Sequence, residues 1–549
     1  MTPSAHGPLR APLLPALLLF GYGLALVAGF ALTRVGTTTW DTAAHRDHML
    51  WLVGRWRGQD LPLPYDELRW AGPLWEYVLA VFDRVFRFLG DPLCVRHAVT
   101  FTLLPVTVAA TFALLRRAGE TPGTALLAIA LLLADVRLVG HSILNVKDFP
   151  LACFYLLTTL VMWSVLHDRF PTPASYASHP GWLLLLTVVS LLPFLMQAPL
   201  LLHWLGLCAL CFFVAVRESS GRPARVRWLL ALLPVVAGPL VLWAVWPPLW
   251  DNGISGLAES VSLFSRFPWR GTVRLFGQSY PSDALPRWYP LVWIPLSWEP
   301  IGLAVLGVGL LAFGRVITRE LRGLRLSVPA LTDSLPLWSF VFAMAPWVAL
   351  LVLRPVLYDE ERHFAFAMPL LAVCAALGLR RLAERAKIAI AVVVLASALF
   401  GVASWGKYAY VYRNPLLRTA AQDFKGDYWG VSSGAMARAL YDFVPDGAWV
   451  VVAALPEPVQ LEVDRRLTSR LLRATPRKQF RLELRGPASG GFYVVATNRN
   501  GTNRRILEDI QAGRARELWR DEVPGGDPAA VLAFYTEPCP QCRLKVQQL

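Results

Sequence analysis

Residues 11–33, APLLPALLLFGYGLALVAGFALT, follow Arg10 as an unbroken apolar stretch. It is long enough to cross the roughly 30 Å hydrocarbon layer of a bilayer. A cleavable leader has a shorter apolar core and a small-residue cleavage site. The stretch therefore reads as a retained first transmembrane helix. Working outward from it, further apolar runs appear near 94–115, 123–139, 149–166, 181–197, 199–216, 228–247, 290–313, 335–353, 364–379 and 387–405. The run at 123–139 is short, and Gln197 and Pro199 divide the pair at 181–216. The expected fold class is mainly α, a polytopic transmembrane helix bundle of about eleven spans with a small C-terminal α/β domain.

Composition agrees. The chain has 549 residues, 55% hydrophobic and 17% charged, whereas soluble domains are about a quarter charged. The net charge of +15 does not point to nucleic acid, because the Arg residues sit largely between the apolar runs. With the N-terminus in the cytoplasm and the spans alternating, Arg116–Arg117, Arg217 to Arg227, Arg315 to Arg325 and Arg380 to Lys387 all fall on the cytoplasmic side. The short outer loops keep few cations, among them Lys147 and Arg362, each beside carboxylates. That asymmetry is the positive-inside pattern, and an even number of spans would scramble it.

The outer side then collects residues 34–93, 140–148, 248–289 and 354–363. Within the first, AAHRDHMLWLVGRWRG (43–58) and LWEYVLAVFDRVFRFLG (74–90) segregate apolar from charged residues, the pattern of helices lying in the membrane interface. After residue 405 the composition changes. WVVVAAL (449–455), QFRLEL (479–484), FYVVAT (492–497) and VLAFYT (531–536) read as strands and RRILEDIQAG (504–513) as a helix. The expected domains are a transmembrane part, 1–405, and an extracytoplasmic α/β part, 406–549. Asn500-Gly501-Thr502 matches a glycosylation acceptor, a short pattern of little weight by itself. Of seven cysteines, Cys94, Cys153, Cys208, Cys211 and Cys374 lie in or beside apolar runs. Cys539 and Cys542 (CPQC) alone fall in a polar region; zinc sites usually take four ligands, so no metal is expected there.

Three outer segments carry chemistry. In WDTAAHRDHM, Asp41 is either the N-cap of the following helix or a carboxylate that takes a proton from a substrate hydroxyl. In HSILNVKDFP, His141, Asn145, Lys147 and Asp148 crowd a membrane-edge turn; Asp148 has the same two readings, and Lys147 offers a compact cation to a phosphate. In YDEERHFAFAMPLL, Arg362 sits at a helix start, unfavourable for the macrodipole unless an anion is near. That anion is either one of Asp359, Glu360 and Glu361 or a lipid phosphate. The loop RFPWRGTVRLFGQSYPSDALPRWYP is dense in aromatics, and Trp269, Tyr280 and Trp288 are its candidate sugar or acceptor contacts.

In their order and shared side, WDTAAH, NVKDFP (145–150), PWRGTV, LPRWYPLVWI, YDEERHFAFAMPLLAV (358–373) and DYWG (427–430) resemble bacterial glycosyltransferases of family 39, relatives of the protein O-mannosyltransferases in the GT-C superfamily. The resemblance covers roughly residues 35–430. That family usually follows its first Asp with an acid, where this chain has Thr42. The resemblance implies a GT-C helix bundle in a bacterial plasma (inner) membrane, with the C-terminal part periplasmic or extracellular. It implies inverting transfer of a hexose or pentose from a polyprenyl-phosphate sugar to a hydroxyl of a protein, lipid or glycan acceptor. The donor is a substrate, and no separate cofactor is implied. Asp41 is then expected as base with Asp148 assisting, and Lys147, Arg362 and His363 as holders of the lipid phosphate. Should Asp41 prove only a cap, Asp47, Asp66, Glu67 and Asp148 remain as acids on that side. The chemistry fits independently, since a lipid-phosphate donor needs a base and cations for the developing charge. A transporter or flippase is the rival class. Such proteins bind near the midplane, often between repeats; here no repeat is visible, and Gln197 and His203 are the nearest mid-span polar groups.

Overall fold

The computed structural model describes residues 39–63, 65–86, 88, 92–170, 179–197, 200–218, 224–323, 333–417, 423–424, 426–453, 481–483, 491–498, 503–524 and 528–536. The stretch 11–33, Asn500-Gly501-Thr502 and the Cys539–Cys542 pair lie outside the described residues.

Helices dominate. The first are α1 (Trp40–Trp56), α2 (Leu74–Val85), α3 (Pro92–Phe101), α4 (Leu103–Arg117), α5 (Pro122–Ala134) and α6 (Val136–Leu144). Next come α7 (Asp148–Arg169), α8 (Pro180–Met196), α9 (Leu202–Phe213), α10 (Ala224–Val245), α11 (Pro248–Ser265) and α12 (Tyr289–Ser297). Then follow α13 (Pro300–Gly323), α14 (Leu335–Leu353), α15 (Met368–Gly378), α16 (Glu384–Trp405), α17 (Ser433–Phe443) and α18 (Asn503–Gln511). Among the described residues, Leu93–Arg117, Asp148–Arg169, Pro300–Arg322, Leu335–Leu353 and Glu384–Val411 are long and apolar enough to cross a membrane. The other described apolar runs fall on the shorter apolar helices α5, α8, α9, α10 and α15. Leu311, Val352, Leu353 and Phe400 expose between 70% and 77% of their surface. Water tolerates few such contiguous apolar faces; lipid favours them.

Two apolar runs are not single helices. Asp135 interrupts 123–139: its carboxylate accepts the Leu138 N–H at 3.0 Å and caps α6, so the run breaks where the cap forms. The run 290–313 breaks between α12 and α13. Pro300 disfavours helical backbone at Glu299, and the Glu299 carboxylate accepts the Ile301 and Gly302 N–H groups. Buried α5 and α15 form the middle of the bundle. Against α15, α13 approaches so closely that a Cβ on Gly378 would lie 2.1 Å from the Gly309 carbonyl oxygen, the small-residue contact common between membrane helices.

One end of the bundle gathers the loops expected in the cytoplasm. There Arg117 pairs with Asp168, His167 meets Asp333 at 3.4 Å and Arg380 meets Glu120 at 3.5 Å. Lys387 donates to the Thr124 hydroxyl at 3.0 Å. The opposite end carries the starts of α1 and α7 and residues 354–363. An antiparallel hairpin, β1 (Thr272–Leu275) with β2 (Gln278–Pro281), turns there through Phe276 and Gly277, at φ 49° and 76°.

The small C-terminal sheet has the order β4 (Arg481–Glu483), β3 (Trp449–Ala453), β5 (Phe492–Thr497), β7 (Pro528–Tyr535), β6 (Arg516–Glu522). Pairs β3–β4 and β3–β5 are parallel, while β5–β7 and β6–β7 are antiparallel. The four expected strands and the helix α18 are present. Strand β6, RELWRDE, was not expected; it is a charged edge strand without an apolar run, held by pairing with β7. Tyr408, Tyr410, Tyr428 and Trp429 pack back onto the bundle in a cluster with Leu144.

Candidate functional site

Neither Asp41 nor Asp148 is a cap. Helix α1 begins at Trp40 with Thr39 as its N-cap residue, whose hydroxyl bonds the Thr42 hydroxyl at 2.6 Å. Asp41 lies inside the first turn, and its Oδ2 accepts from Arg362 Nη1 at 2.8 Å. In the second turn Asn145 does the capping. Its Oδ1 accepts the Lys147 and Asp148 N–H groups at 3.0 and 2.7 Å, which leaves the Asp148 carboxylate free of the backbone. Asn145 Nδ2 donates to Asp148 Oδ2 at 3.0 Å and to His141 Nδ1 at 3.1 Å. Because that imidazole nitrogen accepts, the neutral ring carries its proton on Nε2, which faces Glu361 Oε1 at 3.0 Å. Arg137, buried in the first broken run, bridges Glu361 to Glu360.

Arg362 is 4% exposed and sits among three carboxylates: Asp41 at 2.8 Å, Asp359 at 3.4 Å and Asp148 at 3.7 Å. The rings of Tyr358 and Trp429 face its guanidinium at 5.3 and 5.8 Å. Burial alone would lower its pKa, yet the carboxylates hold it well above the ordinary value. Its partners are therefore not Glu360 and Glu361, which belong to Arg137. The segment that delivers it is bent through two successive left-handed residues, Asp359 at φ 53° and Glu360 at φ 67°. Such backbone is uncommon outside glycine. Here the Glu360 carboxylate is tied to Arg137 and its carbonyl accepts from Tyr289 Oη at 3.0 Å.

Beside this network lies a cavity of about 650 Å³, lined among others by Asp41, Lys147, Trp269, Arg270, Tyr358, Asp359, Arg362 and Trp429. That size suits a small polar ligand. Trp269 stacks on Tyr358 at 4.5 Å. Trp429 is placed from the far end of the chain: Asp427 accepts the Val431 and Ser432 N–H groups at 2.8 and 2.9 Å, and Tyr410, which donates to Asp427, stacks on Trp429 at 5.2 Å. Lys147 and Arg270 form no ion pair with a described residue.

Of the residues expected from sequence, Asp41, Lys147, Arg362 and Trp269 line the cavity, as does Glu67. Asp148 stands behind Arg362, buried and off the lining. His363 is not on the lining, and burial, with Arg362 beside it, lowers its pKa to about 3. A neutral imidazole supplies no charge to a phosphate. Tyr280 packs on the core from β2, and Trp288, just before α12, is 47% exposed with its ring toward Phe276; neither lines the cavity. Arg270 and Arg137 were missed. Arg270 looked like one loop cation among several, whereas Arg137 did leave a signal, an arginine inside an apolar run.

What these elements define is a helical protein with membrane-compatible helices and a charged, aromatic-walled cavity at one end. No protein-family model matches the chain, and no curated protein matches it. Among solved structures, ArnT from Cupriavidus metallidurans in the apo state is similar with a TM-score of 0.47 and 12% identity, over 95% of this chain and 98% of that one. Its form bound to undecaprenyl phosphate gives 0.45 and 12%, over 94% and 98%. The Archaeoglobus fulgidus oligosaccharyltransferase in complex with Zn and sulfate gives 0.39 and 11%, over 86% of this chain and 68% of that one. Likeness at this level concerns the outline of the fold and not the chemistry.

Proposed function

We propose that this chain is a membrane glycosyltransferase of the GT-C kind, transferring a sugar from a polyprenyl phosphate to an acceptor hydroxyl at the outer face of a bacterial plasma membrane. One observation carries the reading: a single cavity holds a carboxylate, Asp41, together with two cations, Lys147 and Arg270, that have no ion-pair partner among the described residues. The motif resemblance to family 39 supports it.

In this reading the acceptor hydroxyl attacks the anomeric carbon as the bond from that carbon to the phosphate oxygen breaks, with inversion. Asp41 takes the hydroxyl proton. Its Oδ2 is held by Arg362, which fixes the carboxylate and leaves Oδ1 to face the acceptor. The polyprenyl phosphate leaves with its electron pair, and Lys147 and Arg270 stabilise the charge that develops on it. Arg362 is compensated by three carboxylates, so it orients rather than attracts phosphate. Asp148 acts through Arg362 and is a positioning residue. Trp269, Tyr358 and Trp429 offer ring faces to the sugar. The N-terminus lies in the cytoplasm and the C-terminal α/β part outside. A midplane transport site is less well supported: His203 is bonded to Thr159 at 2.6 Å and stacked on Phe342.

The test is a radiolabelled polyprenyl-phosphate sugar offered to the purified chain with an envelope extract as acceptor. Label passing into extract components, with free polyprenyl phosphate released, is the expected result. Binding without release or transfer, or movement of intact donor across a liposome membrane, would overturn the reading.

A further inference from the structure

Helix α1 places His45 and His48 one turn apart on the same face. Helix α2 brings Glu76 against them. One ligand atom from each of the three lies within 4.8 Å of the others, and the side chains are buried, at 5%, 0% and 3% exposure. His45 Nδ1 is 2.9 Å from Glu76 Oε1. Both ring nitrogens of fully buried His48 lack a hydrogen-bond partner among the described residues. An imidazole has at least one donor and one acceptor to satisfy, and buried polar groups without partners are rare and call for a cause. Stacking on Trp51 at 6.2 Å orients the ring without satisfying either nitrogen.

We propose that His45, His48 and Glu76 bind one divalent transition-metal ion, Zn²⁺ in the first instance, beside the cavity. Two imidazoles and one carboxylate suit zinc better than magnesium or calcium, which prefer oxygen. The ligands of a tetrahedral zinc stand about 3.3 Å apart when each bond is about 2.0 Å, close to the separation already present between His45 and Glu76. Three protein ligands leave a fourth position for water. Charge permits the ion. Arg96 pairs with Glu76 through Oε2, leaving Oε1 available, and Arg96 is itself answered by Asp83 at 3.4 Å. In its neutral form each imidazole binds through one nitrogen and carries its proton on the other. The site does not depend on the transferase reading, and its test reads metal rather than activity.

The experiment uses the full chain in detergent, incubated with zinc chloride, freed of loose metal by gel filtration and assayed by mass spectrometry for metal. About one zinc per chain is expected, falling below about a tenth in His48→Gln at unchanged elution volume. The Cys539→Ser/Cys542→Ser double variant should keep its zinc. X-ray absorption of the loaded wild type should show nitrogen and oxygen neighbours with imidazole scattering and no sulfur. If His48→Gln does not fold, this spectrum and the cysteine variant decide. A wild type without zinc, zinc retained in His48→Gln, or sulfur in the first shell would overturn the site.

Discussion

The two ends of the helix bundle are both rich in charge but differ in how that charge is held. At one end, Arg117 is 60% exposed beside Asp168 and His167 is 43% exposed beside Asp333; buried Lys387 is the exception, held by Glu384, Thr121 and Thr124. At the other, Arg137 and Arg362 are almost wholly buried, and between them run Glu360, Glu361, His141, Asn145, Asp148 and Asp41 as one connected network. The lesson is that charge count assigns a side, whereas burial and convergence make a site. Exposed pairs trade water for a partner at little gain. A buried network stands only while every member is present.

The largest effect should come from Arg137→Ala. It leaves Glu360 and Glu361 buried without their cation, and thermal unfolding should show a loss of about 3–5 kcal/mol. A wild-type melting curve would mean that the network does not hold the Asp359–Arg362 turn. Next is Asp41→Asn, which cannot take the acceptor proton. Turnover of a polyprenyl-phosphate sugar should fall by roughly a hundredfold or more, read as initial rate at saturating donor. Because Asp41 is not the cap of α1, no cap is lost in this variant. An unchanged rate would move the base to Glu67 or Asp359.

A smaller change is expected for Lys147→Ala and Arg270→Ala. Each should weaken donor binding by about 1.5–3 kcal/mol, the scale of a hydrogen bond to a charged group, in titrations with the lipid-phosphate sugar. Folded yield should stay near that of the wild type, since neither cation closes an ion pair. If stability falls while affinity holds, the two are structural. The smallest effect belongs to the other end: Arg117→Ala should change stability by less than about 1 kcal/mol. A loss as large as that of Arg137→Ala would erase the contrast between the two ends.

The helical character, the positions of the apolar runs and the four apolar strands were legible because each depends on local hydrophobic pattern. The breaks at Asp135 and Glu299 were not, although both residues stood in view. An acid within an apolar run becomes a helix cap only when the chain turns there. The site was half legible. Asp41, Lys147, Arg362 and Trp269 were named from three crowded outer segments, yet the choice between cap and site for Asp41 and Asp148 could not be made from spacing. Asn145 decided it for Asp148 by taking the backbone N–H groups, and Arg362, far along the chain, decided it for Asp41. Tyr280 and Trp288 stood out as aromatics in the right loop, but Tyr280 packs on the core from β2 and Trp288 sits exposed at the start of α12.

By itself, the sequence determined that the chain is a bundle of apolar helices with charged segments between them and a sheet-bearing C-terminal part. Period, length and the placement of arginine are properties of consecutive residues. Only the tertiary structure decided which rim residues meet. Arg362 reaches Asp41 and Asp148, Arg137 holds the two glutamates, Trp429 arrives from beyond the last apolar helix, and His48 is sealed against His45 and Glu76. The reason is physical: ion pairing and burial depend on distance in space, and residues far apart in sequence carry no mark of the neighbours that folding will give them.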